Sequence, residues 1–113
     1  MSHGLDFRYP YKIKVTVPLA LADKVRDALG EAGAGRFNKY DFCSFMYQVK
    51  GRFRPLEGAN PAIGKVGGIE EVDEMCIECV CHKDILRDVV EALIKAHPYE
   101  EPAIDILPRF ELE

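Results

Sequence analysis

The segment Tyr11-Lys-Ile-Lys-Val-Thr-Val17 decides the fold class, because its apolar and polar side chains alternate strictly. A period of two places one set of side chains on each face of a strand, so the pattern predicts a half-buried β-strand. After Pro18, apolar residues recur at helical spacing and predict an amphipathic helix over residues 20–32. The following Gly33-Ala34-Gly35 predicts the helix end, because glycine readily adopts the left-handed conformation that closes a C-terminus.

The remaining elements follow from the same criteria. Residues 40–49 predict a second strand that is apolar on both faces and is therefore expected to be covered twice. Residues 50–71, with five glycines and two prolines, predict a long loop. A third strand is predicted at 72–81, a second helix at 84–97 and a short last strand at 103–107. This order predicts an α+β fold, the ferredoxin-like βαββαβ sandwich, with a long loop between strands 2 and 3.

Composition predicts a single domain over residues 1–113, with an ordered core of about 11–107. The length of 113 residues suits one domain, and 48% apolar residues suffice for one core.

The formal charge of -4 provides no global basic field, so we expect no nucleic-acid partner. No apolar run approaches the ~20 residues that span a bilayer, and Met1–Pro10 has no signal-peptide core. A cytoplasmic location without membrane contact is therefore expected.

Five motifs give the sequence a resemblance to a known family. They are Gly33-Ala-Gly35, Tyr40-Asp-Phe-Cys-Ser-Phe45, Phe53-Arg-Pro55, Asn60-Pro-Ala-Ile-Gly64 and His97-Pro-Tyr-Glu-Glu-Pro102. In this order they resemble the YqfO-like insert domain of the Nif-three-like family, over nearly the whole chain. The resemblance implies a fold similar to PII signalling proteins and to CutA. Because both of these are trimers, it also implies a homo-oligomer, with three subunits expected.

Two differences limit what the resemblance implies. Asn38 stands where the family usually has a glycine, although asparagine also tolerates the left-handed region. The dinuclear metal site of the Nif-three-like family lies in the enclosing domain, whereas this domain is expected to stand alone. The hydrolase activity attributed to the family is therefore not transferred to this chain.

Cationic side chains among the glycines of residues 50–71 are the candidate ligand-binding residues: Lys50, Arg52, Arg54 and Lys65. Together with backbone amides, they could converge on a phosphate or carboxylate group. In the PII-like folds that the sequence resembles, the corresponding loop contacts ligands and partners. The predicted ligand is a small anion or nucleotide, and the alternative is a loop that only packs on a neighbouring subunit.

The stretch His97-Pro-Tyr-Glu-Glu-Pro102 combines an imidazole with two carboxylates, a set typical of metal or proton-transfer sites. Its candidate ligands for a divalent metal ion, the one cofactor that the sequence suggests, are His97, Glu100 and Glu101. The alternative is that the prolines delimit the helix and the last strand while the carboxylates face solvent. Because CutA-like proteins carry a similar motif at subunit contacts, a packing or interface role is favoured.

The run Cys76-x-x-Cys79-x-Cys81-His82 contains ligand types used by zinc and iron–sulfur sites. Alternation along a strand, however, directs Cys76 away from the other two cysteines. The sequence therefore predicts buried, reduced thiols in this strand. Cys43 is a nucleophile in principle, but its place in the second predicted strand favours burial and inertness.

The open face of the predicted sheet indicates self-association. Both helices of a ferredoxin-like sandwich cover one sheet face, so the other should be polar in a monomer. The second strand is instead apolar on both faces, and the third adds Cys76 and Val80. Such a patch favours closed symmetric assembly, with Phe45, Tyr47 and Tyr99 as the predicted interface residues.

These observations favour an oligomeric small-ligand-binding or regulatory module of the PII-like kind. A CutA-like metal-ion-binding protein is the alternative. An enzyme is the third hypothesis, and we expect none, because the sequence has neither a Ser-His-acid set in motif context nor a glycine-rich nucleotide fingerprint.

Overall fold

The computed structural model describes residues 5–6 and 9–112. The predicted single domain of 1–113 and the expectation for Met1–Pro10 also include residues 1–4, 7, 8 and 113, which lie outside the described residues. The described strands and helices, in chain order, are β1 Leu5–Asp6, β2 Tyr11–Pro18, α1 Ala22–Glu31, β3 Phe45–Phe53, β4 Glu70–Cys81, α2 Leu86–Ala96, β5 Ile104–Pro108 and β6 Glu111–Leu112. A short 3₁₀ turn, Leu19–Leu21, leads into α1.

Four strands form one antiparallel sheet in the order β3-β4-β2-β5. This order, with a helix in each crossover between β2 and β3 and between β4 and β5, is that of the ferredoxin-like sandwich, and the predicted fold class is confirmed. The short strands β1 and β6 pair with each other antiparallel, beyond the predicted ordered core of 11–107. No described helix is both long and apolar enough to cross a membrane.

The core lies between the helices and the inner face of the sheet. Ile13, Val15 and Val17 of β2 are fully buried there, as their alternation predicts. They pack in one cluster with Val25 of α1 and Leu93 of α2. Burying each such side chain contributes about 1.5–3 kcal/mol, so this cluster provides the main driving force for the fold. Ile94 of α2 is exposed, because this helix buries a narrower stripe of side chains than its apolar content suggests.

The hairpin of β3 and β4 is longer than predicted. Its ladder continues to the pair Phe53 and Glu70. The predicted loop of 50–71 was therefore too long, because its first four and last two residues belong to the strands. Lys50 and Arg52 therefore lie on β3 and not in a loop. The added pairs are mostly polar and exposed, and backbone hydrogen bonds hold them without an apolar pattern that sequence analysis could detect.

The segment before β3 departs from the predicted strand of 40–49. Asn38 and Phe42 have φ angles of 53° and 54°, which interrupt an extended chain. Asn38 thus adopts the left-handed conformation that was expected of it. The Phe42 ring lies over Gly30, where a Cβ atom would be only 2.2 Å from the ring. Cys43 precedes the strand and is exposed, so its predicted burial was wrong.

The end of α1 is tied to the sheet through a glycine. Gly33 and Gly35 both have positive φ angles, as predicted for a helix end. The Gly35 N–H donates to the carbonyl of Val80 in β4 at 2.7 Å, and its carbonyl accepts from the Cys43 N–H at 2.9 Å. Gly35 therefore joins the helix end, the segment before β3, and β4.

Replacing Gly35 with alanine should lower the free energy of unfolding by about 3 kcal/mol, the sum of left-handed strain and overpacking. Its φ is +78°, and a Cβ atom there would lie 2.3 Å from the Cys43 carbonyl oxygen. The matched control is Gly58→Ala, where φ is +94° but no atom lies within 4 Å of the added Cβ. Urea denaturation should show a loss of only about 1–2 kcal/mol for this control. Equal losses would contradict the steric role of Gly35.

Candidate ligand-binding cleft

A cleft of about 920 Å³ opens on the sheet face that the helices leave uncovered. Its floor is the outer face of β2, β3 and β4, and its walls are residues 54–63 and 99–103. The volume lies within the range of small-molecule sites in proteins. Side chains of alternate residues reach it from the strands: Lys14 and Thr16 from β2, Tyr47 and Val49 from β3, Glu74 and Cys76 from β4.

Glu74 is a buried carboxylate beside this cleft, with only 4% of its surface exposed. Its Oε2 atom accepts a hydrogen bond of 3.0 Å from the Tyr99 hydroxyl. Its Oε1 atom lies over Gly51, where a Cβ atom would be 1.8 Å away. Gly51 is thus needed for space and not for a left-handed backbone. Burial and the neighbouring Glu74 carboxylate raise the pKa of Tyr99, so the phenol stays protonated and remains a donor.

His97 fixes the turn that presents Tyr99. Its Nε2 atom lies 2.7 Å from the Thr16 carbonyl oxygen, and its Nδ1 atom accepts from the Tyr99 N–H at 3.1 Å. Because a carbonyl can only accept, Nε2 carries the proton, and both ring nitrogens are engaged. His97 is itself buried and does not line the cleft.

Glu100 and Glu101 do line the cleft, but they have different surroundings. Glu100 accepts a 3.0 Å hydrogen bond from the Asn60 N–H and so connects the loop to the turn after α2. Glu101 is exposed. Within the described ranges, no three His, Cys, Asp or Glu side chains are grouped so that they could hold a metal ion. The predicted metal ligands, with His97 committed to two hydrogen bonds, do not fit a divalent metal centre.

The cleft brings together three of the four predicted cationic ligand residues. Lys50, Arg52 and Arg54 line it, whereas Lys65 does not. Lys50 forms an exposed ion pair with Asp73 at 3.7 Å. The two arginines are exposed, and no carboxylate of the described chain forms an ion pair with them. Neither guanidinium group is therefore neutralised by a described carboxylate. Arg54 follows the last residue of β3, whereas alternation places Arg52, like Lys50, on the strand face opposite to Tyr47 and Val49, so Arg52 borders the cleft from its edge.

The predicted interface residues lie in two different environments. Phe45, at 75% exposure, and Tyr47 lie on the outer face of β3. The Tyr47 hydroxyl donates to Glu78, which also pairs with Lys12 at 3.3 Å. Hydrogen bonds with Cys76 and then Glu78 raise the pKa of Tyr47, and the bond from Tyr47 lowers the pKa of Glu78. Tyr99 is half-buried and bound to Glu74 of its own chain.

The three cysteines of β4 are buried as predicted, and Cys76 lies on the opposite sheet face from Cys79 and Cys81. Burial raises the pKa of the Cys79 thiol to about 12 and that of Cys81 to about 11. Both thiols therefore remain protonated at neutral pH, whereas metal binding or nucleophilic attack would need a thiolate.

A thiol reagent at neutral pH should modify one cysteine per native chain, the exposed Cys43, and all four after unfolding in guanidinium chloride. Counting the released chromophore measures both numbers. Cys43→Ser is the control, and it should remove the rapid native reaction while leaving three thiols in the unfolded chain. Rapid reaction of the β4 thiols in the native protein would contradict their burial.

Glu74 and Gly51 are the cleft residues that sequence analysis missed. Alternation places Glu74 on the polar face of β4, where a carboxylate is ordinarily solvated. Its burial depends on Tyr99 and on residues 54–63, which are distant along the chain. A lone glycine inside a strand was the available signal, since such a glycine often marks a close approach by another group.

The sequence was compared with family models and with curated proteins. No family model matches the sequence. A protein of Halalkalibacterium halodurans named GTP cyclohydrolase 1 type 2 homolog is 49% identical over 98 residues, which are 87% of this chain and 26% of that protein. The protein of the same name from Bacillus subtilis is 47% identical over 86% of this chain and 26% of its own length. The chain thus spans about a quarter of the length of the curated relatives that it matches.

Solved structures agree with this relationship. The crystal structure of a Bacillus cereus protein related to NIF3 matches with a TM-score of 0.80 and 36% identity, covering 96% of this chain and 28% of that one. CutA1 from Pyrococcus horikoshii matches with a TM-score of 0.64 and 20% identity, covering 88% of this chain and 82% of that one, which shows the fold alone. The resemblance seen in the sequence motifs is therefore confirmed: this chain is a relative of the NIF3/YqfO family, matching about a quarter of each longer protein, and it has a CutA-like fold.

Proposed function

We propose that this chain is an oligomeric regulatory module of the PII-like kind, which binds a small anion or nucleotide in its cleft. The observation that carries the proposal is the pair Arg52 and Arg54. Both line a cleft of ligand size, both are exposed, and neither has an ion-pair partner among the described residues. Guanidinium groups suit this role, because their planar donor set matches phosphate and carboxylate oxygens in pairs.

Several features of the cleft support an anionic ligand in particular. The remaining cation of the β3 end, Lys50, is already paired with Asp73, so the arginines carry the available positive charge. The Asn60–Glu100 hydrogen bond holds the loop beside them, which reduces the ordering cost of binding. A concave surface also concentrates the electrostatic potential of its charges.

Oligomerisation is supported by the outer face of the sheet. Both helices pack on the inner face, and Phe45 and Tyr47 are exposed on the other. Large apolar side chains clustered on an uncovered sheet face favour association. The resemblance to trimeric relatives of this fold leads us to propose three subunits, with the cleft near the contacts between them.

We further propose that the chain is not itself an enzyme. The name GTP cyclohydrolase 1 type 2 homolog belongs to proteins of which this chain covers only 26%. The CutA1 of Ehrlichia chaffeensis is named a divalent ion tolerance protein, but at 16% identity this match concerns the fold. Since the candidate metal ligands do not fit a metal centre, we favour an anion over a metal ion. Elemental analysis of purified protein separates these two ideas, because only the second predicts stoichiometric metal.

Arg52→Ala and Arg54→Ala should each weaken binding of inorganic pyrophosphate roughly 10-fold, because each removes a charge-assisted contact. The melting temperature should change little, since exposed substitutions usually alter stability by under about 0.5 kcal/mol. Calorimetric titration measures the affinities. Lys65→Ala is the matched control, because Lys65 is a nearby cation outside the cleft. An equal loss in this control, or no loss in the arginine variants, would sink the proposed site.

Phe45→Glu should dissociate the assembly, because it places a charge in the proposed apolar contact. Light scattering should give a mass near three chains for the wild type and near one chain for the variant. Tyr40→Glu is the control, since Tyr40 is similarly exposed at 73% but lies outside strand β3. A wild-type protein that scatters as a monomer at micromolar concentration would refute the oligomer.

A further inference from the structure

We infer that the cleft selects a monocarboxylate with an extended apolar body, whose carboxylate pairs with Lys14 at the cleft floor while its body lies against the apolar walls. This inference rests on the proposed anion-binding function and specifies the class of anion. It concerns the floor and the walls of the cleft, whereas the two arginines are exposed beside it.

The charges that line the cleft limit the charge of its ligand. Four carboxylates line it, and they equal in number the three cations already described together with Lys14: Glu57, Glu74, Glu100 and Glu101. A lining whose formal charges cancel gives little attraction to a multiply charged anion, because the field of each cation is offset by a nearby carboxylate. A ligand with a single negative charge therefore suits this cleft.

Lys14 is the cation at the floor of the cleft, on the outer face of β2. It is half-buried, whereas the other three cations are exposed. Its neighbours in register on the adjacent strands are Glu78 and Asp105, but Glu78 pairs with Lys12, and Lys14 forms no ion pair with a described carboxylate. Because charges attract more strongly where water is partly excluded, Lys14 is the favoured contact for a ligand carboxylate.

The walls of the cleft are largely apolar. Val49 and Phe53 of β3 line it, together with Leu56, Pro61 and Ile63 of the following loop. Leu56 is 65% exposed, so covering it with an apolar group would remove much of its surface from water. A volume of about 920 Å³ leaves room for a body of several carbons beyond the carboxylate. Sites of this kind use a few polar groups for orientation and apolar contact for most of the affinity.

The test titrates the full chain with acetate, butyrate, hexanoate and octanoate in the calorimeter. Affinity should rise about threefold for each added methylene, because each one buries further apolar surface. Octylamine has a similar apolar body and the opposite charge, and it should bind at least about 10-fold more weakly than octanoate.

Two variants separate the floor from the walls. Lys14→Met should weaken octanoate binding about 10-fold, because it removes the charge and keeps a long side chain. Lys65→Met is its control, since Lys65 is an exposed cation outside the cleft. Leu56→Ser should reduce the gain per methylene and leave acetate binding unchanged. Its matched control is Ile69→Ser, because Ile69 is similarly exposed at 57% but does not line the cleft.

The outcomes separate this inference from the proposed function. Equal affinity across the carboxylate series, equal binding of octanoate and octylamine, or unchanged octanoate binding in Lys14→Met would overturn the inference. The anion site would still stand if pyrophosphate bound more weakly to Arg54→Ala than to the wild type. Binding of neither pyrophosphate nor any carboxylate would overturn both. The wild-type series requires no variant, so a Lys14→Met chain that fails to fold leaves the test intact.

Discussion

The buried carboxylate of Glu74 connects the parts of the molecule that surround the cleft. It lies on β4, extends over Gly51 of β3 and accepts the hydroxyl of Tyr99, which follows α2. The Tyr99 amide is bound to His97, whose other ring nitrogen contacts the Thr16 carbonyl of β2. Three strands and one turn are thus joined by a single chain of polar contacts. Removing the Tyr99 hydroxyl would leave the buried Glu74 carboxylate without this hydrogen-bond donor, at a cost of about 1–3 kcal/mol in the free energy of unfolding.

This connection also gives the cleft its electrostatic character. The negative charge of Glu74 is held at the buried floor, while the guanidinium groups of Arg52 and Arg54 remain exposed. Glu100 fixes the intervening loop through the Asn60 amide and does not neutralise either arginine. A protein that keeps unlike charges apart in one cavity retains both for a ligand, because charges that pair internally lose much of their attraction for one.

The sequence predicts the parts of this structure that depend on local pattern. The alternation of residues 11–17 and the glycines at 33 and 35 specify the first strand and the helix end, and both are as predicted. The extension of β3 to Phe53 was missed because its added pairs, such as Lys50 with Asp73, are mostly polar and lack the apolar alternation that indicates a strand. The exposure of Cys43 was missed because it depends on Phe42 packing over Gly30.

The residues of the candidate site show the same difference between what local sequence indicates and what depends on distant contacts. Charged residues in a glycine-rich region indicated Arg52 and Arg54, which do line the cleft, but also Lys65, which does not. Glu74 could not be identified, because its burial arises from contacts between residues 25 positions apart along the chain. Composition was therefore enough to indicate Arg52 and Arg54, whereas Glu74 could be identified only from the folded structure.

The most direct test of the account is a titration of isotope-labelled protein with inorganic pyrophosphate, followed by nuclear magnetic resonance. Binding in the cleft predicts progressive shifts of the backbone amides in residues 51–62 and 99–103, with little change along α1 and α2. Shifts centred on another surface, or no shifts at millimolar pyrophosphate, would contradict the assignment of the cleft as the ligand site.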